Sequence, residues 1–200
     1  MTQSWTQMSA VAKMRAGRGY KHNALAGLWR DIRRDKGGVA ALEFALLLPL
    51  MIGLYFAGIE ISNLLIVDRK VTAASNTVAD LVAQDTSINN TEMNDIFLAT
   101  RAILTPFPSN VLSVKLTSVV ADIGNVTTVA WSDALNDTPY AVGANITLPP
   151  GLTTPGSSVI MAEVSYTHTS PIGQFLTGPI NIQDQAFLRP RRVLQVLRTP

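Results

Sequence analysis

The sequence predicts an α+β chain, in which a long N-terminal transmembrane helix extends into a small external domain built on an antiparallel β-sheet. Three observations carry this. An apolar run of 21 residues, Val39 to Ile59, holds a single charge, Glu43. Apolar residues then continue at helical spacing to about residue 83. Beyond residue 110 the apolar period drops to two, the spacing of half-buried strands.

Residues 1–20 show no periodicity, and Met8 and Met14 are alternative starts. From Lys21 to Lys36, Leu25, Leu28, Trp29 and Ile32 fall at i, i+3, i+4 and i+7, among Lys21, Arg30, Arg33 and Arg34. Two readings fit this segment: a helix lying on an anionic leaflet with Trp29 at the headgroups, or an unstructured basic leader. Gly37-Gly38 ends it, since glycine terminates helices and leaves the backbone open to approach.

At about 1.5 Å per residue the run from Val39 to Ile59 is long enough to cross a hydrocarbon core of roughly 30 Å. Residues 1–38 carry eight Lys/Arg against Asp31 and Asp35, a balance of +6; the other eight face twelve acids, a balance of −4. The basic flank therefore stays in the cytoplasm and the chain beyond about residue 67 lies outside. An ordinary cleaved secretory signal fits poorly, because its apolar core is shorter and its basic start is brief.

Past the membrane, Leu64, Val71 and Val78 repeat every seven residues, as do Val67, Ala74 and Leu81. This is the spacing of a coiled-coil seam, and equally of a stripe by which the helix packs on its own domain. The polar stretch Asp85-Thr-Ser-Ile-Asn-Asn-Thr breaks the helix. A second helix follows over about 91–104, with Glu92 and Asp95 in its first turn, where carboxylates suit the dipole. Met93, Ile96, Phe97 and Ile103 or Leu104 form its buried face, and Pro106 and Pro108 close it.

Leu112, Val114 and Leu116 alternate with polar neighbours as a first strand. Gly124-Asn125 marks a turn into a hairpin partner, Val126 to Trp131. Residues 132–157, rich in Pro, Gly, Asn and Thr, read as a long loop. Val159 to Thr167 is a third strand, and a turn or short helix from Pro171 to Leu176 leads to a fourth, Ile180 to Leu188. The organisation is thus 1–38 as a basic leader, 39–84 as the long helix and 85–200 as the external domain.

Composition narrows the function. The 200 residues include no cysteine, which removes disulfides, thiolate metal sites and cysteine nucleophiles. Residues 85–188 hold only Arg101 and Lys115 as cations, so no nucleic-acid-binding face is expected. His22 and His168 lie on opposite sides of the membrane, and no P-loop, nucleophile elbow or helical His/Glu motif occurs. Ser132, Asp133 and Asp137 read as solvated loop residues, and Glu60 as a hydrated residue at the outer boundary. The four Asn-x-Ser/Thr sites at Asn89, Asn125, Asn136 and Asn145 read as loop composition. No enzyme, cofactor, metal site or small-molecule substrate is expected.

The informative cluster is Gly38-Val-Ala-Ala-Leu-Glu43-Phe44, where the basic segment meets the apolar helix. A carboxylate at a helix centre in lipid costs on the order of 3 kcal/mol, and such residues tend to face a partner. Pro49 removes the hydrogen bond to the Ala45 carbonyl and predicts a kink. Gly53 and Gly58 are spaced by five, not the four of close-packing small-residue motifs.

This cluster resembles the processing site of type IV pilin-like proteins, in which a prepilin peptidase cuts after glycine and an acid lies fifth in the mature chain. It is most similar to the TadE-like (TadE/TadG) pseudopilins of tight-adherence, Flp-type pilus assembly systems, with the continuation Phe-Ala-Leu-Leu-Leu-Pro, the strand end at Tyr166 and the Arg189-Pro190-Arg191 run adding to the likeness. The resemblance implies cleavage between Gly38 and Val39, with Glu43 and Phe44 as fifth and sixth residues of the mature chain. It implies a bacterial inner-membrane protein with a periplasmic C-terminal domain, working with other pilin-like subunits and Tad assembly proteins. Glu43 would then pair with the new ammonium of a neighbouring subunit. Two other readings stand beside it: an uncleaved TadG-like anchor, and a membrane-tethered binding or sensor module.

Overall fold

The structure, a computed structural model, describes residues 37–170 and 178–200. The amphipathic segment Lys21–Lys36 and the turn from Pro171 to Leu176 lie outside the described residues. The described residues divide into two units at the boundary between Tyr55 and Phe56.

Helix α1 spans Gly37–Gln84, 48 residues, with Pro49 inside it. From Gly38 to Tyr55 every residue is exposed. One window of this helix reaches a mean hydropathy of 2.1 with none of it buried inside the protein, so it has the length and composition to cross a membrane. Leucine, phenylalanine, methionine and isoleucine point in all directions there, the pattern of a helix whose solvent is itself apolar.

In the second unit the same helix becomes one-sided. Val67, Val71, Ala74, Val78 and Val82 are buried, at spacings of four, three, four and four, the face of a helix on a core. Leu64 packs partly against that core. The seven-residue pattern is therefore absorbed by the chain's own domain. Leu81, expected on the same seam, departs from it and remains 37% exposed.

Strand β1 is Ser87–Ile88 and helix α2 is Asn90–Ile103. The α2 start is a capping box: Asn89 Oδ1 accepts from the Glu92 amide and Glu92 Oε2 accepts from the Asn89 amide, each at 2.9 Å. Two of the amides that a helix N-terminus leaves without partners are thereby satisfied. Met93, Ile96 and Thr100 form the buried face. At the other end Lys70 Nζ donates to the Ile103 and Thr105 carbonyls, both at 2.8 Å. A cation there complements the negative end of the dipole.

The main sheet contains β2 (Leu112–Ala121), β3 (Thr127–Leu135), β4 (Ser158–His168) and β5 (Ile180–Leu188). Their order is β3-β2-β4-β5, and each neighbouring pair is antiparallel. Leu112, Val114, Leu116, Trp131, Ile160, Ala162, Val164 and Tyr166 join the α1 and α2 stripes in a single core. The outer edge of β3 is covered by the following loop: the Val129 amide donates to the Ala144 carbonyl and the Gly143 amide to that of Val129.

Two sequence readings are corrected. The loop expected over 132–157 begins only at Asn136, because β3 continues through Ser132, Asp133, Ala134 and Leu135. Asp85–Thr91 is not merely a polar break: Ser87 and Ile88 pair in parallel with Leu197 and Arg198 of β6. Ile88 is wholly buried. The Trp131 indole N–H donates to the Val196 carbonyl at 2.8 Å, which fastens the C-terminal segment over the core.

Candidate functional site

The residues singled out by sequence lie along the first turns of α1. Gly38 and Val39 sit in its opening turn, which begins at Gly37. The Gly-Gly pair is helical in the structure. That turn is nevertheless a weak one. Two glycines are poor helix formers. A Cβ built on Gly38 would meet nothing within 4 Å, so the space around it is open.

Glu43 stands one turn above Val39, about 6 Å along the axis. Both are exposed, as are Phe44 and Pro49; Val39 is 55% and Phe44 64% exposed. Glu43 is the only charged side chain between Gly38 and Ile59, and among the described residues it forms no ion pair. A carboxylate with that setting requires either water or a partner of opposite charge. The helix passes through Pro49 without ending.

Other polar groups gather in the second unit. Glu60, expected to be hydrated, lies with Oε1 3.2 Å from His168 Nε2. Phe107 meets the same imidazole edge-on, with centroids 6.5 Å apart. Ser75 donates to the Asp184 carboxylate, tying α1 to β5. The Glu60–His168 and Ser75–Asp184 pairs each join residues more than a hundred positions apart, and neither has a local sequence signal.

Ser132 and Asp133 are corrected from solvated loop residues, since both lie half-buried in β3, whereas Asp137 is exposed in the loop that follows, as expected. Ser132 Oγ shares a hydrogen bond with Thr117 Oγ1 at 2.9 Å. Asp133 pairs with Arg198 Nε at 2.7 Å. Asp137 pairs with Lys115 at 3.1 Å, and the Lys115 ammonium sits 4.5 Å from the Tyr140 ring centroid. The Thr138 amide and then Lys115 hold the Asp137 carboxyl below the usual carboxylate range. Burial, with Glu163 beside it, pushes the Tyr140 phenol up. Burial alone does the same to Tyr166. The Lys115–Asp137 and Tyr140–Glu163 contacts tie β2, β4 and the β3–β4 loop together.

Residues 38–80 match the model of a family described as TadE-like protein. The comparisons with curated proteins and with solved structures each returned no match. The matched segment covers the exposed part of α1, with Gly38, Val39, Glu43, Phe44 and Pro49, and runs on through the Val67–Val78 stripe. It stops before the sheet.

Proposed function

We propose that this chain, with its TadE-like segment over residues 38–80, is a minor pilin-like subunit needed to assemble a Tad-type adhesive pilus. Its role is structural and not enzymatic. It is made with the basic leader in the cytoplasm and the sheet domain in the periplasm, and a prepilin peptidase removes the leader after Gly38. The observation that carries this reading is the register of the cluster: glycine at 38, a carboxylate with no ion pair among the described residues five positions later and an exposed aromatic at 44, all at the start of an exposed apolar helix.

The physical role of Glu43 follows from its surroundings. Cleavage would create an ammonium on Val39, and Glu43 of an adjoining subunit is its natural counter-charge. An ion pair is strong in a low dielectric and costly to leave unmade, so pairing favours one axial register between helices. Phe44 fills the space beside it, and Pro49 frees the Ala45 carbonyl and bends the helix within the bundle.

The test is the mature N-terminus in the native host, read by mass spectrometry of membrane-extracted protein. A chain beginning at Val39 is expected, with the leader retained when Gly38 is changed or the peptidase is deleted. Glu43→Ala should leave insertion intact and abolish surface pili. A retained leader in the unmodified host would instead favour the uncleaved anchor, and unchanged piliation in the Glu43→Ala strain would remove the pairing role.

A further inference from the structure

The second unit carries two exposed features of complementary chemistry on opposite flanks of α1. One is a groove of about 310 Å³ between α1 and α2. Leu81, Ile96 and Ala99 supply its apolar surface, and Asp85, Glu92 and Asp95 its rim. Asp85 and Asp95 form no ion pair among the described residues. The other feature is the C-terminal tail just before β6. Arg192 is exposed there, and two residues on, Leu194 is 83% exposed. Arg192 also lacks an ion pair among the described residues.

The tail is not free to swing into its own groove. The Arg191 amide donates to the Ala83 carbonyl at 2.8 Å, and the Arg191 guanidinium pairs with Asp80. Ser158 Oγ donates to the Leu194 carbonyl at 2.6 Å, and Val196 is buried. At about 100° per residue, Leu81 points roughly 100° around α1 from Asp80 and 160° from Ala83, which hold the tail. The cation and apolar side chain are therefore presented away from the groove that suits them.

We propose that the groove of one copy receives the Arg192–Leu194 segment of a second copy. Leu194 covers Leu81, Ile96 and Ala99, while Arg192 meets the carboxylates of Asp85 and Asp95. Because donor and acceptor patches differ and face opposite ways, the contact is head-to-tail. Such a contact does not close on itself in a pair and propagates from copy to copy. The area is small for a free dimer, and confinement of both copies to one bilayer raises their effective concentration enough for a weak contact to operate. The inference needs the copies to share a membrane, and it does not depend on cleavage after Gly38.

The absence of native cysteine makes the contact directly testable by cross-linking. Two differently tagged full-length chains, one Ala99→Cys and the other Leu194→Cys, are co-expressed and oxidised in isolated membranes. A mixed-tag dimer is expected, and a chain carrying both substitutions should give a ladder of oligomers. Arg192→Glu in the Leu194→Cys chain should lower the mixed-dimer yield by about fivefold, and Asp95→Lys in its partner should restore it. No mixed dimer, a yield indifferent to Arg192→Glu, or dimers alone from the doubly substituted chain would each overturn the head-to-tail contact. Proteolysis of each variant in the same membranes checks that the second unit is folded.

Discussion

Helix α1 presents two environments on one continuous backbone. Between Val39 and Tyr55 its side chains are large, apolar and exposed in every direction. Between Val67 and Val82 the buried positions are Val and Ala only, apart from Ser75, and charged residues occupy the other faces. The difference teaches that the two halves solve the burial problem with different solvents. The first relies on lipid or neighbouring helices, so its sequence need only be apolar. The second relies on a sheet of the same chain, so its residues must be small enough for close approach and confined to one stripe.

The comparison breaks most sharply under a charge placed in each half. Val78→Asp puts an unpaired carboxylate into the core and should unfold the second unit, a loss of several kcal/mol. Leu47→Asp should leave that unit folded and instead reduce membrane insertion, by on the order of 3 kcal/mol. Protease resistance and carbonate extraction of the two variants separate these effects; equal damage to both properties in either variant would erase the distinction.

A smaller change probes how the second half is closed. Trp131→Phe keeps most of the ring and loses the bond to the Val196 carbonyl, at a cost of about 1 kcal/mol. The C-terminal segment should become cleavable before the sheet does, visible as an early proteolytic product lacking residues after 190. The Asp137 pair is the weakest lever, since its carboxylate side chain is 43% exposed. The folded-state pKa is lowered from 3.8, so the stabilisation is present above that value and lost as pH falls through the folded pKa. Asp137→Asn should flatten the acid end of the stability profile slightly and leave the neutral end nearly unchanged, as a thermal melt against pH would show.

Much of this architecture was legible because it depends on local periodicity. Val39–Ile59, the second helix with Glu92 and Asp95 in its first turn and the alternation of Leu112, Val114 and Leu116 each carry their signal within a few residues. The misses have physical reasons. A register irregularity between Ser118 and Val119 shifts the pairing of β2 with β3, so alternation fails where the strands continue. Ser132, Asp133 and Ala134 look like loop residues because one face of an outer strand accepts polar side chains. The β1–β6 pair has two residues on each side and joins position 87 to 197, leaving no pattern to detect. At the candidate site, the Gly38–Glu43 register was visible in full, while the Glu60–His168 and Asp133–Arg198 pairs required the fold.

The fastening of residues 196–198 over Trp131 and beside β1 sets an order of events during synthesis. Helix α1 is made first and can enter the membrane early, and the four main strands follow. Ile88 and Trp131 nevertheless lack their last covering until residues 196–198 have been made. The sheet domain is thus completed by segments joined across more than a hundred residues, a closure that comes late because distant ends must meet. A chain stalled before that point would display an unfinished core, which gives proteases a means of telling finished chains from unfinished ones.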